Sequence, residues 1–361
     1  MRYLHDKGDN KKACLFFHMY DYKVEISPYQ FLSLDSISDL AQLLTISRGM
    51  LINSSLFPAY NTFRIPKKAG GYRIIDAPDT QLKSKQRIIA SHLQAVYLTI
   101  KPESSHGFIT RWEEGFGTCN IISNASNHTG KRFVLNIDLQ DFFHAISAGR
   151  VRNIFMAPPF SFNHPLSSLL AILTTYYNKL PMGAPTSPVL SNLACLDMDK
   201  HMEDLAVQMG WNYSRYADDL TYSWDKPFRK ESIHKIKDII ERSGFSINRD
   251  KFRIQPDTTR QTVTGLTVNE KVNLNRKYYR RLRAILHDWR ENGIEEATRR
   301  YFRLTHEPDF SLTWKFQQSI EGKINYFRMV RGESDPLVDK LREKFFEISE
   351  VNYHPPYYSP F

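Results

Sequence analysis

Two adjacent carboxylates, Asp218 and Asp219, interrupt a stretch that otherwise reads as β-structure, Arg215-Tyr216-Ala217-Asp218-Asp219-Leu220-Thr221-Tyr222-Ser223-Trp224. Tyr213 and Tyr216 precede the pair, and Leu220, Tyr222 and Trp224 alternate after it, the period-2 pattern of a strand. Aspartate is poor strand material, so the pair predicts a tight turn between two strands of a hairpin, with both side chains projecting toward one point. Like charges held that close repel unless a cation lies between them. Oxygen ligands favour a hard divalent ion, Mg²⁺ before others. An isolated Asp-Asp is more commonly a solvated acidic turn. The flanking apolar strands and a third carboxylate upstream reverse that preference here.

The third carboxylate is Asp138, in Phe133-Val134-Leu135-Asn136-Ile137-Asp138. Phe133 to Ile137 reads as a buried strand, and the acid stands where the strand ends. Alone, Asp138 could cap a following helix. Together with Asp218 and Asp219 it completes a three-carboxylate set able to hold two metal ions, the equipment of in-line phosphoryl transfer.

These residues carry a resemblance. Asp138 in its strand, Leu180-Pro181-Met182-Gly183-Ala184-Pro185-Thr186-Ser187-Pro188, and then Tyr216-Ala217-Asp218-Asp219 resemble, in order and spacing, the reverse transcriptase signature. Asn124-Ala125-Ser126-Asn127-His128 and Val263-Thr264-Gly265 resemble the Asn-Ala-x-x-His and Val-Thr-Gly elements of bacterial retron reverse transcriptases. The resemblance covers roughly residues 56 to 330. It implies an α+β right-hand polymerase fold with fingers, an antiparallel palm sheet and a helical thumb. It implies RNA-directed DNA synthesis from dNTPs, with two Mg²⁺ ions held by Asp138, Leu139, Asp218 and Asp219. It further implies a structured noncoding RNA as template and primer, a 2′-hydroxyl start giving branched RNA–DNA, and a role in phage defence. A nearby-encoded effector protein and an oligomeric ribonucleoprotein belong to the same picture. An intron-type or untemplated defence polymerase shares the core motifs, and an RNA-bound scaffold restraining a toxin is the non-enzymatic alternative.

Composition agrees with a polyanionic partner. The 361 residues include 49 Lys and Arg against 39 Asp and Glu, a net charge of +10. Cys14, Cys119 and Cys195 are too far apart for a Cys-x-x-Cys zinc pair or a disulfide framework. No apolar run approaches the ~18 residues a membrane helix needs. The first residues lack a signal peptide's apolar segment, so a cytoplasmic location is expected. The expected organisation is an N-terminal helical extension over 1–55, interleaved fingers and palm over 56–268, and an RNA-binding thumb over 269–361.

Along the chain, Leu32 to Ile46 has rough helical spacing, with Ser36 or Ser38 as cap. Residues 60–78 read as a basic hairpin around Lys67-Lys68-Ala69-Gly70-Gly71, followed by a helix near Leu82. By resemblance that hairpin lies over the incoming nucleotide. Arg73 is then the candidate for the triphosphate, with Lys67 or Lys68 assisting, since a guanidinium fork suits phosphate oxygens. Lys83, Lys85 and Arg87 would face template phosphates. His106, in Ser105-His106-Gly107-Phe108, is expected to be structural. Asn124 and His128 are placed in a polar loop, contacting RNA or bracing the loop. Phe143 is implied to be the steric gate against a ribose 2′-hydroxyl, and Phe142 is expected in the core. Gly183 lets backbone approach a substrate closely. Relatives commonly carry Gln where Met182 stands, so contacts to the nucleotide sugar are open there.

A helix is expected over about 189–207 and another over about 231–243, with Gly244 as its C-cap. Lys251 matches the next family motif, either near the leaving pyrophosphate or in a surface pair. Thr262 to Val268 reads as one strand with a turn at Asn269-Glu270. Arg276, Lys277, Arg280, Arg281 and Arg283, with Val263, Thr264 and Gly265 before them, form the expected RNA-binding set. Tyr278 and Tyr279 would be available for base stacking, and Tyr326 and Phe327 are expected in the thumb core.

Overall fold

The computed structural model describes residues 26–67, 70–109, 119–226 and 230–351. The chain is α+β, and its sheets are antiparallel, the class the sequence predicts. It divides into two compact units, each built from two separate stretches of chain. One comprises Met1–Lys101 and Phe143–Ala194; the other comprises Pro102–Phe142 and Cys195–Phe361. Among the described residues, no helix is long and apolar enough to cross a membrane.

The described part of the first unit opens with three short helices, α1 (Pro28–Leu32), α2 (Ile37–Leu43) and α3 (Arg48–Leu56). Ser36 caps α2 in a reciprocal box with Asp39, each side chain accepting from the other residue's backbone N–H. The strands β1 (Tyr60–Pro66) and β2 (Tyr72–Pro78) form the expected hairpin, in register from Tyr60↔Pro78 to Pro66↔Tyr72. Helix α4 (Thr80–Ile100) follows, capped by Asp79. After the excursion into the other unit come α6 (Ala148–Met156), α7 (His164–Thr174) and α8 (Ser187–Ala194). Phe31 anchors the core of this unit against His92, Phe160 and Phe162.

The second unit holds α5 (Ile121–Ser126), β3 (Phe133–Asp138), α9 (Leu196–Met209), β4 (Asn212–Tyr216), β5 (Asp219–Trp224), α10 (Lys230–Arg242) and β6 (Arg253–Pro256). Its sheet has the order β4-β5-β3-β6. Leu220 to Trp224 are buried without alternation, because both faces of β5 are covered. A small hairpin, β7 (Thr262–Val263) and β8 (Leu266–Thr267), leads into three helices, α11 (Arg276–Phe302), α12 (Phe310–Arg331) and α13 (Pro336–Val351). Helix α11 kinks at Gly293, whose φ of +81° only glycine adopts readily. Trp289, Phe316, Phe327 and Phe345 share one core with Val134, Val263 and Leu266.

Three expectations need correction. The helix expected over 189–207 is two helices, α8 and α9, parted at Cys195, whose backbone (φ −93°, ψ −3°) sits at the edge of the helical region. The strand expected over 262–268 is a hairpin, because Thr264 and Gly265 both take left-handed conformations (φ +48° and +82°) and form a two-residue turn. Tyr278 and Tyr279 are not free platforms: their rings lie 6.3 and 5.5 Å from Phe327, and the Tyr278 hydroxyl donates to the Lys323 carbonyl.

Candidate active site

Tyr216 pairs with Asp219 across the β4–β5 ladder, so Ala217 and Asp218 form a two-residue turn. Ala217 has φ +58°, a left-handed conformation that disfavours any residue with a Cβ. Asp219 begins β5 and stands opposite Asp138, which ends β3. The junction is tied by backbone: the Leu139 N–H donates to the Asp218 carbonyl at 3.0 Å, and the Asn248 N–H donates to the Asp138 carbonyl at 2.8 Å. Register and turn therefore bring three carboxylates, 80 residues apart in the chain, to one end of the sheet.

Asp138 is nearly enclosed and fully engaged. Asn248 Nδ2 donates to its Oδ2 at 3.1 Å, and Lys251 Nζ sits 2.5 Å from its Oδ1. That contact holds the Lys251 ammonium above its usual pKa. Burial, then repulsion from Asp218 and Asp138, pushes the Asp219 carboxyl from 3.8 up to about 6. A cavity of about 240 Å³ is lined by Asp138, Asp219, Tyr216, Lys251, Arg253 and the Thr264-Gly265 turn, among others.

The donor set suits a hard divalent cation: carboxylate oxygens, one of them destabilised as an anion by its neighbours. The side chains are not gathered into a ligand shell, however. Among the described residues, no three His, Cys, Asp or Glu side chains stand together as a metal-holding group. Lys251 supplies the positive charge at Asp138. The Leu139 side chain is buried, so its contribution to an ion would come from backbone.

Behind the turn lies a constellation that no sequence motif marks. Arg215 and Asp199 are both completely buried. Arg215 Nε and Nη2 donate to Asp199 Oδ1 and Oδ2 at 2.8 and 2.6 Å, and Nη1 donates to the Ala217 carbonyl at 3.1 Å. The Tyr213 hydroxyl also donates to Asp199, at 2.9 Å. The Ser104–Phe108 segment pairs with β4 here: the Arg215 N–H donates to the Ser104 carbonyl and the His106 N–H to the Arg215 carbonyl. Gly107 is pressed so close that an added Cβ would lie 2.3 Å from the Ala217 nitrogen.

Asn124 and His128 are corrections. They sit at α5 and just after it, fully buried, so as placed neither touches RNA. His128 links the two strands of the β4–β5 hairpin, its Nδ1 bonded to Ser223 Oγ and its Nε2 to Ser214 Oγ, each at 2.7 Å. Burial drives its pKa down to about 3, so the ring is neutral. Among the described residues, the side-chain amide of Asn124 has no hydrogen-bond partner. Val263 is core. Thr264 bonds the Ile121 carbonyl, while Gly265 is exposed. Arg276, Lys277, Arg280, Arg281 and Arg283 are all exposed on α11.

Apart from Lys251, in the second unit, the nucleotide candidates lie in the first unit. Lys67 and Arg73 are exposed on the hairpin, with Arg73 opposite Ile65; Lys68 lies outside the described residues. Lys85 is buried and donates to the Gln81 carbonyl of its own helix, so it does not face template; Arg87 is exposed. Gly183 packs against β2, where an added Cβ would meet the Asp76 carbonyl and Ile75 Cγ2 at 2.9 Å. Met182 and Phe143 are half-buried, whereas Phe142 is core.

The reverse transcriptase (RNA-dependent DNA polymerase) family matches residues 65–268. The Retron Ec86 reverse transcriptase of Escherichia coli is 33% identical over 264 residues, covering 70% of this chain and 78% of the relative. This chain belongs to the retron-type reverse transcriptases. The Retron Mx65 and Mx162 reverse transcriptases of Myxococcus xanthus are 34% and 32% identical, over 72% and 71% of this chain. The chain spans 64% and 59% of the length of those two relatives. A solved telomerase from Candida albicans aligns over 84% of this chain and 65% of its own, with a TM-score of 0.46 at 13% identity.

Proposed function

We propose that this chain is an RNA-directed DNA polymerase that copies a structured noncoding RNA, starting from a guanosine 2′-hydroxyl to give branched RNA–DNA. The observation that supports this most is the register placing Asp138 opposite Asp219, with Asp218 in the adjoining turn. Asp138, the Leu139 backbone, Asp218 and Asp219 would hold two divalent ions, Mg²⁺ in this reading, which lower the pKa of the attacking hydroxyl and steady the leaving oxygen. Asp138 is buried at the sheet end, while Asp218 and Asp219 are half-exposed. Lys251 places a cation beside Asp138, in reach of the site where phosphate charge develops.

In the first unit, Arg73 and Lys67 would bind the triphosphate of a dNTP, Met182 and Gly183 would shape the nucleotide platform, and Phe143 would exclude a 2′-hydroxyl. The palm and fingers would fall within 56–268 and the thumb within 269–361, after the helical extension over 1–55. RNA would bind the exposed cations of α11 and the Thr264-Gly265 turn. A second cavity, of about 220 Å³ and lined by Tyr279, Arg283, Lys340, Leu341 and Lys344, extends that basic surface onto α13. Among the described residues, none of its three cations is in an ion pair, which leaves them for phosphate oxygens. Action in the cytoplasm, within a ribonucleoprotein that restrains an effector in phage defence, completes the proposal.

The test is incubation of the purified protein and its natively copurified RNA with dNTPs and Mg²⁺, with the product mapped by debranching. Short DNA joined 2′–5′ to a guanosine is expected. A linear product alone would overturn the branched start, and no incorporation by folded protein on any template would overturn the polymerase assignment.

A further inference from the structure

We propose that the buried Arg215–Asp199 pair is a positioning device that sets the Ala217-Asp218 turn from behind, through the Ala217 carbonyl. The inference rests on the polymerase reading above and assigns it two further residues.

Side chains alternate along β4, so Tyr216 lines the cavity with Asp138 while Arg215 points the other way. Arg215 therefore touches no substrate. Its guanidinium donates to Ser105 Oγ at 3.4 Å, and two further sets of contacts bear on the turn. Nε and Nη2 grip both oxygens of Asp199 in α9, and Nη1 reaches the carbonyl of Ala217, the turn residue with φ +58°. A backbone held in that region persists where its surroundings over-determine it. Here the over-determination comes from one planar fork, which fixes the direction of the Ala217 carbonyl relative to a helix. Gly107 closes against the nitrogen of the same residue. Ala217 is thus held at its carbonyl and crowded at its nitrogen.

Stability alone does not explain the pair. A fully buried ion pair must offset the desolvation of both charges, and apolar residues of similar volume often serve a fold as well or better. A lysine could neutralise Asp199 but could not also reach Ala217 with fixed geometry, since it lacks the fork. The arrangement suits a requirement for orientation, because misplacing a reacting group by about 1 Å can cost about a hundredfold in rate.

Two variants separate orientation from mere structure. Arg215→Met with Asp199→Leu removes both charges and leaves apolar volume; Arg215→Lys keeps the charge and removes the fork. Each is compared with wild type for melting temperature, Mn²⁺ binding by calorimetry, and kcat and KM for dNTP on a generic annealed primer–template. For both, the expected result is a melting temperature near wild type, weaker Mn²⁺ binding, a kcat lower by about a hundredfold, and an unchanged KM for dNTP. A folded double variant with wild-type kcat would overturn the proposal, as would loss of folding in both variants, which would make the pair structural only. Inactivity of the wild type in the same assay would instead sink the polymerase reading.

Discussion

Asp138 and Asp219 are direct partners across the β3–β5 ladder, so two antiparallel strands each deliver a carboxylate to the same point. Like charges at directly opposed positions destabilise a ladder. The cost is visible in Asp219, whose pKa burial and its acidic neighbours push up to about 6.

That shift gives a pH signature for the metal-free protein. The folded-state pKa lies above the unfolded value, so the folded chain binds more protons between pH 3.8 and about 6. Its stability from this group is full below that window and is lost as pH rises through it. Asp219→Asn should therefore melt at or above the wild-type temperature at pH 8 without metal, and the advantage should vanish near pH 4. DNA synthesis in Mg²⁺ should fall to background. A variant that extends primers normally would remove Asp219 from the site.

Gly107→Ala tests the rear support of the turn. The added methyl would lie 2.3 Å from the Ala217 nitrogen, and backbone cannot yield as a flexible side chain does. Overpacking of this kind costs about 1–3 kcal/mol, seen as a lower melting temperature. The same displacement should reduce kcat by about a hundredfold. Unaltered kcat would show that the turn tolerates movement.

Sugar selection is checked at Phe143. If the half-buried Phe143 ring is the gate, Phe143→Ala should raise rNTP incorporation relative to dNTP in single-turnover assays. Equal discrimination by a folded variant would place the gate elsewhere.

RNA choice is checked on α11 and α13. Replacing Arg280, Arg281 and Arg283 with Ala should weaken binding to the cognate RNA and flatten its salt dependence by roughly one counterion per lost phosphate contact. Lys340→Ala with Lys344→Ala should act in the same direction, since both line the cavity that Arg283 shares. Extension of a generic primer–template should survive better than cognate binding. Unchanged filter-binding curves across salt would contradict the assignment.

The carboxylates were legible in the sequence because each interrupts or ends an apolar strand, where an acid has no place in a core. A turn at the Asp218-Asp219 pair was legible for the same reason, although Asp219 begins β5 and Ala217 takes the other turn position. Arg215 and Asp199 were not. Arg215 reads as an ordinary flanking cation, and Asp199 is one of several charges in Leu196-Asp197-Met198-Asp199-Lys200-His201. Their pairing depends on how α9 packs on the sheet, which no local pattern encodes. One signal existed: Arg215 is in phase with the buried Tyr213, and a buried charge demands a partner. Asn124 and His128 misled because polar residues suggest a loop, whereas the two serines that receive His128 lie on strands 86 and 95 residues later.

The central strand of the sheet also has a history in time. β3 lies between β5 and β6, and both partners are synthesised after it. At roughly 5–20 residues per second, Val134, Leu135 and Ile137 leave the ribosome several seconds before Trp224 exists. During that interval an apolar strand has two open edges, a template for pairing with other chains. Nascent chains stalled near residue 210 should accordingly recruit holdase chaperones and be cut readily by protease, and those stalled well past residue 256 should not. The order in which the strands emerge makes production of this protein sensitive to translation speed between those points.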